Sequence, residues 1–521
     1  MAEEDKKEEQ KKIRILVHGD SPAAATGFSR VISGIFDNLA KTGRYDITIF
    51  GVNDVGGWKD PAKYPYRIFP AMLAGVSGDY YGRTRFINVV RGADPWIKPS
   101  WDIIFTLNDP FIFEEPILTP EVGLMDALVD IKALYREKLE PKHWQKVVSY
   151  WPVDSPIKEN WVEHAVGLPD VSVAYTEYGK REILKANQKL DKSMNLDDMP
   201  VIYHGVDPES FFPIDEAAKL EFKAKYFKKA KIDYKRTFIV GIVARNQLRK
   251  DIPRSMKIFK EFQKRRPDSL LYIHAKDNDS WGSLHEYARQ FNLEVGKDWI
   301  FPGGFSENIG YPVSALNLIY NSMDVHINTS LGEGYGLPII ESMATKTLNI
   351  APNITSIPEL FNTEGKNFDD PVELAKDDSI RGIPIKAFST SSEWATYGPT
   401  DYERIRPLTN VDDAVKKLLW VYDHPEEAAK IAERAYEWVR QYTWEAISQK
   451  WDELFTKVYN ELEEERREGS KKNEGGTDTD KQNQPKSLEP ERNGSGSVQQ
   501  VEGEHQADEA VPVPDSAGAG Q

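Results

Sequence analysis

The chain contains no cysteine among its 521 residues, which excludes disulfides, thiolate metal sites and a thiol nucleophile together. It also lacks any run approaching the roughly 18 apolar residues that a membrane span needs. Basic residues do not dominate: 67 Lys and Arg stand against 83 Asp and Glu, a formal charge of −16, so the broad cationic surface of a nucleic-acid binder is not expected. The charged start, residues 1–12, has no apolar core behind it and does not read as a signal peptide. The expected setting is reducing and cytoplasmic, with peripheral membrane contact left open.

What is present describes a folded protein. Hydrophobic residues make up 40% and aromatics 11% of the chain, and its length suits two or three domains of about 100 to 200 residues. An apolar run at 13–17 leads into a small-residue loop, and Phe28, Val31, Ile32, Ile35 and Leu39 then repeat at helical spacing. Further strand-like runs fall at 45–50, 101–107 and 147–151. After a charged stretch at 213–236 the alternation restarts, with runs at 237–243, 270–274, 299–301, 325–328 and 347–351. Alternating strands and helices predict parallel sheets covered on both faces. The expected fold class is α/β, two Rossmann-like doubly wound domains facing across a cleft. We place them at 13–212 and 213–465, the second closing with two helices after Pro425. Beyond Gly469 no aromatic residue occurs, so 466–521 reads as a disordered acidic tail.

Doubly wound sheets bind ligands beyond the carboxyl ends of their strands, so the loops after strands hold the chemistry. The most informative is the stretch from Thr329 to Pro338. Gly332, Gly334 and Gly336 let the backbone approach a ligand, and the helix that follows points N–H groups at an anion. Glu333 precedes that helix and Glu341 lies about one turn inside it, so two carboxylates can accept from hydroxyls at opposite ends of one ligand. After the strand at 237–243 come Arg245, Arg249 and Lys250, cations that suit a diphosphate but also fit a solvated basic turn. The first loop, with Gly19 and Gly27, is not the Gly-x-Gly-x-x-Gly fingerprint; Gly27 offers N–H groups to a phosphate or simply forms a tight turn. His204, before Gly205 and Asp207, is either a ligand contact or part of a hinge turn held by an Asp207 cap. Asp277 and Asp279 superficially offer an Asp-x-Asp metal site, against which we set Asp279 as the cap of a helix beginning near Trp281.

Taken together, Arg245 with Lys250, Glu333 and Glu341 around Gly-Tyr-Gly-Leu-Pro, His204-Gly-Val-Asp207 and Thr443-Trp-Glu445 resemble the retaining GT-B glycosyltransferases of family four (glycosyl transferases group 1) over about residues 13–460. The resemblance implies transfer from a nucleotide-diphospho-sugar, retention at the anomeric carbon, and no cofactor or metal. It implies that Arg245 and Lys250 hold the diphosphate, Glu341 the nucleotide ribose and Glu333 the transferred sugar. The backbone from Gly334 through Tyr335 and Gly336 to Leu337 would assist, and Gly27 would contact the donor phosphate from across the cleft. It also implies a last helix that returns to the first domain. Where the family commonly has a first-domain histidine, this chain reads Ser149 to Asp154 without one, so Asp154, or Asn108 and Asp109, is expected to replace that contact, and His204 is a further acceptor-side candidate. The acceptor, whether glycan, lipid, protein or small molecule, is not specified. Alternatives of the same architecture are a nucleotide-sugar epimerase and an inactive nucleotide-sugar-binding module.

Overall fold

The computed structural model describes residues 11–474 except 55, 74–78, 98–100, 115–122, 228–232, 234–236, 280–281, 303–310, 389–393, 397–401 and 403. Residues 1–10, Trp281 and the tail beyond 474 therefore lie outside the described residues, and with them the expectation of a disordered terminus.

Two six-stranded sheets organise the chain. The first comprises β1 (Ile13–Asp20), β2 (Tyr45–Val52), β3 (Arg67–Pro70), β4 (Ile103–Leu107), β5 (Lys146–Trp151) and β6 (Val171–Ala174), in the order β3-β2-β1-β4-β5-β6 with every pairing parallel. The second comprises β7 (Phe238–Val243), β8 (Ser269–His274), β9 (Trp299–Ile300), β10 (Val325–Ile327), β11 (Leu348–Pro352) and β12 (Ile383–Ile385). Its order is β9-β8-β7-β10-β11-β12, again all parallel. Both sheets thus repeat one doubly wound order, in which the chain reverses direction beside the first strand of each half.

The strands are short apolar runs buried on both faces, as parallel sheets require: Ile15, Leu16 and Val17 of β1 are all fully buried. The helix Gly27–Lys41 buries Val31, Ile32, Ile35, Phe36 and Leu39, the stripe that the helical spacing predicts. Three edge strands, β3, β6 and β12, have no counterpart in the sequence reading; each has at most four residues, too short to show a period.

The helix Pro425–Val439 and a long helix Trp444–Glu474 close the chain. The long helix crosses back to the first sheet, where Trp451 packs against Phe105 and Tyr150 with ring centroids 5.3 and 4.8 Å apart. It runs past the expected end near 465 because Arg466 anchors its final turns, reaching Asp102 at 2.9 Å and Glu463 at 2.7 Å. A further feature went unforeseen. After β12 the chain makes an antiparallel three-stranded insert from β13 (Ala387–Phe388), β14 (Trp394–Thr396) and β15 (Ile405–Thr409), with β15 in the middle.

Candidate active site

The carboxyl ends of β7 and β10 flank the switch point of the second sheet, and the two loops singled out in the sequence meet there. Glu333 is buried. Its Oε1 lies 2.6 Å from Lys250 Nζ and accepts from Asn328 Nδ2 at 3.1 Å, and its Oε2 is 3.2 Å from Arg249 Nη1. Burial alone would raise this carboxyl, but Lys250 and Arg249 outweigh it and hold it at about 2, so Glu333 is an anion at any ordinary pH. Burial and the adjacent Arg249 pull the Lys250 ammonium below its ordinary value, with Glu333 opposing.

The loop around Glu333 is fastened from several sides. Its own N–H donates to Thr355 Oγ1 at 3.0 Å, and Ser356 Oγ donates to the carbonyls of Glu333 and Tyr335, each at 3.0 Å. Gly336 takes φ +103°, a left-handed conformation that opens the helix Leu337–Ala344 without a side-chain cap. Gly332 is required by close approach: a Cβ there would stand 1.9 Å from the carbonyl oxygen of Asp154, on the first half. The helix Leu337–Ala344 carries Glu341 inward, where the carboxylate pairs with Arg30 and accepts from Tyr320 Oη at 2.8 Å. Arg30 lies on the first-half helix that begins at Gly27. The nearest atom that a Cβ on Gly27 would meet is Leu337 Cδ1, at 3.8 Å, so these two expected donor contacts face each other across the cleft.

Arg245 stands apart from the other cations. Its side chain is 60% exposed, against 12% for Lys250, and its Nε is 2.9 Å from Asp279 Oδ2. This corrects the reading of the Asp277–Asp279 segment. Among the described residues Asp279 caps no helix; it belongs to a small hairpin (Asn278–Asp279 with Gly282–Ser283) and binds Arg245. The helix starts later, at Leu284, and Asp277 serves it, accepting from the His285 N–H at 3.1 Å and from Nδ1 at 2.8 Å.

The carboxyl ends of β4, β5 and β6 supply the opposite wall. Asp154 is clasped by three arginines: Arg249 Nε at 3.1 Å, Arg404 Nη1 at 2.8 Å and Arg406 Nη2 at 3.2 Å. Burial works against its charge, but Arg406, Arg249 and Arg404 prevail and hold it well below the usual carboxylate range. Asp109, just beyond β4, is the contrary case. Burial, reinforced by Asp154, pushes its carboxyl up to about 6 against the pull of Arg404, Arg249 and Arg406. Asn108 is buried beside it, its Oδ1 accepting from the Asp109 N–H at 3.0 Å.

His204 is buried against Tyr175 and Tyr335, with ring centroids 4.3 and 4.6 Å away, and burial holds its imidazole neutral, down to about 3. The Tyr335 side chain thus packs between the halves, its Oη donating to the His204 carbonyl at 3.2 Å. Asp207 holds a turn, accepting from the Glu209 N–H at 3.0 Å.

Residues that the sequence did not single out complete the site: Arg30, Tyr320, Arg404 and Arg406. Arg30 had a signal, being one turn after Gly27 on the same helix face. The alternation of Arg404 and Arg406 puts both on one side of an extended segment, but nothing local names Asp154, some 250 positions earlier, as their partner.

No protein-family model matches the chain. A curated relative, the uncharacterized glycosyltransferase 335 of Sulfolobus islandicus rod-shaped virus 1, is 26% identical over 187 residues, 35% of this chain and 51% of its own. The match thus spans about half the length of that relative. Sucrose-phosphate synthase from Thermosynechococcus elongatus superposes with a TM-score of 0.59 at 13% identity, covering 86% of this chain and 100% of that one. A glycosyltransferase from Rickettsia africae ESF-5 does so at 0.56 and 15%, covering 86% and 98%. The α,α-trehalose-phosphate synthase (UDP-forming) of Burkholderia vietnamiensis gives 0.56 and 13%, with the same coverage. The fold is therefore the GT-B arrangement of two Rossmann-like domains. Among the described residues no helix is long and apolar enough to cross a membrane.

Proposed function

We propose that this protein is a glycosyltransferase that moves a sugar from a nucleotide-diphospho-sugar to an acceptor hydroxyl with retention of configuration. The observation that carries the reading is Glu333, kept ionised by Lys250 and Arg249 at the second switch point on a loop whose Gly332 abuts the Asp154 carbonyl of the first half. The names of the viral relative and of the structural neighbours agree with it.

In this reading Glu333 accepts from hydroxyls of the transferred sugar and Glu341 from the nucleotide ribose. Lys250 and Arg245 neutralise the diphosphate, helped by the N–H groups from Gly334 to Leu337 and by Gly27. The acceptor oxygen bonds to the anomeric carbon as the bond from that carbon to the diphosphate breaks; the electron pair departs with the diphosphate, which takes up the acceptor's proton. Negative charge grows on the departing oxygen, so cations fixed beside it stabilise the transition state more than the ground state. The reaction needs no metal in this scheme.

The test is a panel of UDP-, GDP- and ADP-sugars read by thermal shift and nucleotide release. At least one donor raises the melting temperature and releases nucleotide, and Lys250→Ala lowers release by about 10²- to 10³-fold. A shift without release identifies a binding module, and an epimerised donor with no free nucleotide identifies an epimerase; either sinks the proposal.

A further inference from the structure

After β11 the chain turns left-handed at Thr355, with φ +51°. That region favours glycine and tolerates asparagine, whereas a β-branched residue there is strained. Among the described residues no other β-branched residue takes a positive φ. Strain of this kind persists where the side chain does something that glycine could not. The Thr355 hydroxyl accepts from the Glu333 N–H at 3.0 Å, so the strained residue holds the backbone of the carboxylate at the second switch point.

The residues that follow extend the support to the other half of the molecule. Ser356 is fully buried, with its Oγ 3.0 Å from the carbonyls of Glu333 and Tyr335. A short helix, Ile357–Phe361, begins at once, and its Glu359 reaches across to the first half. Glu359 Oε1 accepts from the Glu177 N–H at 3.1 Å and Oε2 from the Tyr178 N–H at 3.2 Å, while Tyr203 Oη donates to Oε1. These are the first two N–H groups of the helix Glu177–Asn187, and the third, of Gly179, goes to its own cap Thr176 at 3.0 Å. A carboxylate of the second half thus completes the cap of a helix in the first. The short helix is itself pinned: Arg381 donates from Nε to the Leu360 carbonyl at 2.8 Å and from Nη2 to the Glu359 carbonyl at 2.7 Å. The segment 355–359 therefore runs unbroken from the Glu333 backbone to a helix end on the opposite half.

We propose that Thr355 and Glu359 are positioning residues, which place Glu333 for the transferred sugar and make that placement depend on the contact between the halves. The inference rests on the glycosyltransferase reading above, in which Glu333 meets the sugar. The first half fixes Glu359, Glu359 fixes the segment, and the Thr355 hydroxyl fixes Glu333. In that reading neither residue meets the nucleotide. Two affinities therefore come apart on substitution: the nucleotide-sugar needs Glu333 in place, whereas the free nucleoside diphosphate is held by Arg245, Lys250 and Glu341.

The full-length chain and its variants are assayed with the member of the UDP-, GDP- and ADP-sugar panel that turns over, and calorimetric titration gives Kd for the matching nucleoside diphosphate. Thr355→Gly relieves the backbone while removing the hydroxyl. It lowers kcat/KM for the nucleotide-sugar about tenfold or more, with the melting temperature within about 2 °C and Kd within about threefold of wild type. Thr355→Ser retains the hydroxyl and keeps kcat/KM within about threefold. Glu359→Gln lowers kcat/KM about threefold or more at unchanged Kd, and adding it to Thr355→Gly costs at most about twofold further, because both act through one segment. The inference is overturned by a Thr355→Gly chain as active as wild type, or by losses that multiply in the double variant. A melting temperature or a nucleoside diphosphate affinity that falls in step with kcat/KM overturns it as well. All of these leave the glycosyltransferase reading intact; a wild type that turns over no donor removes that reading and the inference together.

Discussion

The two halves fold on one strand order and meet at equivalent switch points, yet their polar groups are provisioned in opposite ways. At the second switch point each buried charge has its counterpart: Glu333 with Lys250 and Arg249, Glu341 with Arg30. At the first, Asp154 is heavily matched, while among the described residues Asn108 Nδ2, Tyr175 Oη and both ring nitrogens of His204 have no hydrogen-bond partner, and burial raises Asp109. A matched site keeps its geometry before the ligand arrives; an unmatched one gives up stability that binding returns.

The largest expected effect comes from unbalancing the matched side. Glu333→Gln leaves Lys250 buried without its anion and Arg249 with Asp154 alone, so it removes about 3 kcal/mol of stability as well as lowering transfer about 10³-fold or more. The sign is testable by pH. Glu333 is depressed from 4.5 to about 2, so its contribution is complete above pH 4.5 and is lost as pH falls toward 2. Differential scanning calorimetry of wild type and variant should therefore diverge near neutrality and converge in acid.

This case marks how far the sequence could be read. Glu333, Glu341, Lys250 and Gly27 were legible because strand-loop-helix signals and glycine spacing are local. The charge pairs were not, since Arg30 with Glu341 and Arg406 with Asp154 join residues separated by 311 and 252 positions. Arg245 looked equivalent to Lys250 in the same loop, and its greater exposure and the hairpin that places Asp279 beside it separate the two.

A smaller loss is expected where the halves are bridged. Arg406→Met deprives the Asp154 carbonyl and carboxylate of a buried donor but leaves Arg249 and Arg404 in place, so the cost is about 1 to 3 kcal/mol, read as a lowered melting temperature. On the unmatched side the sign reverses. Asp109 is raised from 3.8 to about 6, so the native state is favoured by this group below pH 3.8 and loses that favour as pH rises through 6. Asp109→Asn should leave stability at pH 4 nearly unchanged and raise it at pH 8 by about 1 to 3 kcal/mol. A variant that melts higher yet transfers less marks a residue kept for function.

The long helix Trp444–Glu474 has a consequence for how the chain comes into being. Phe36, Phe105 and Tyr150, laid down in the first third of synthesis, find Trp451 and Phe455 only when the last helix is made. On the ribosome the second half can complete its own sheet while the first still shows an uncovered aromatic face, so the half made first is the half finished last.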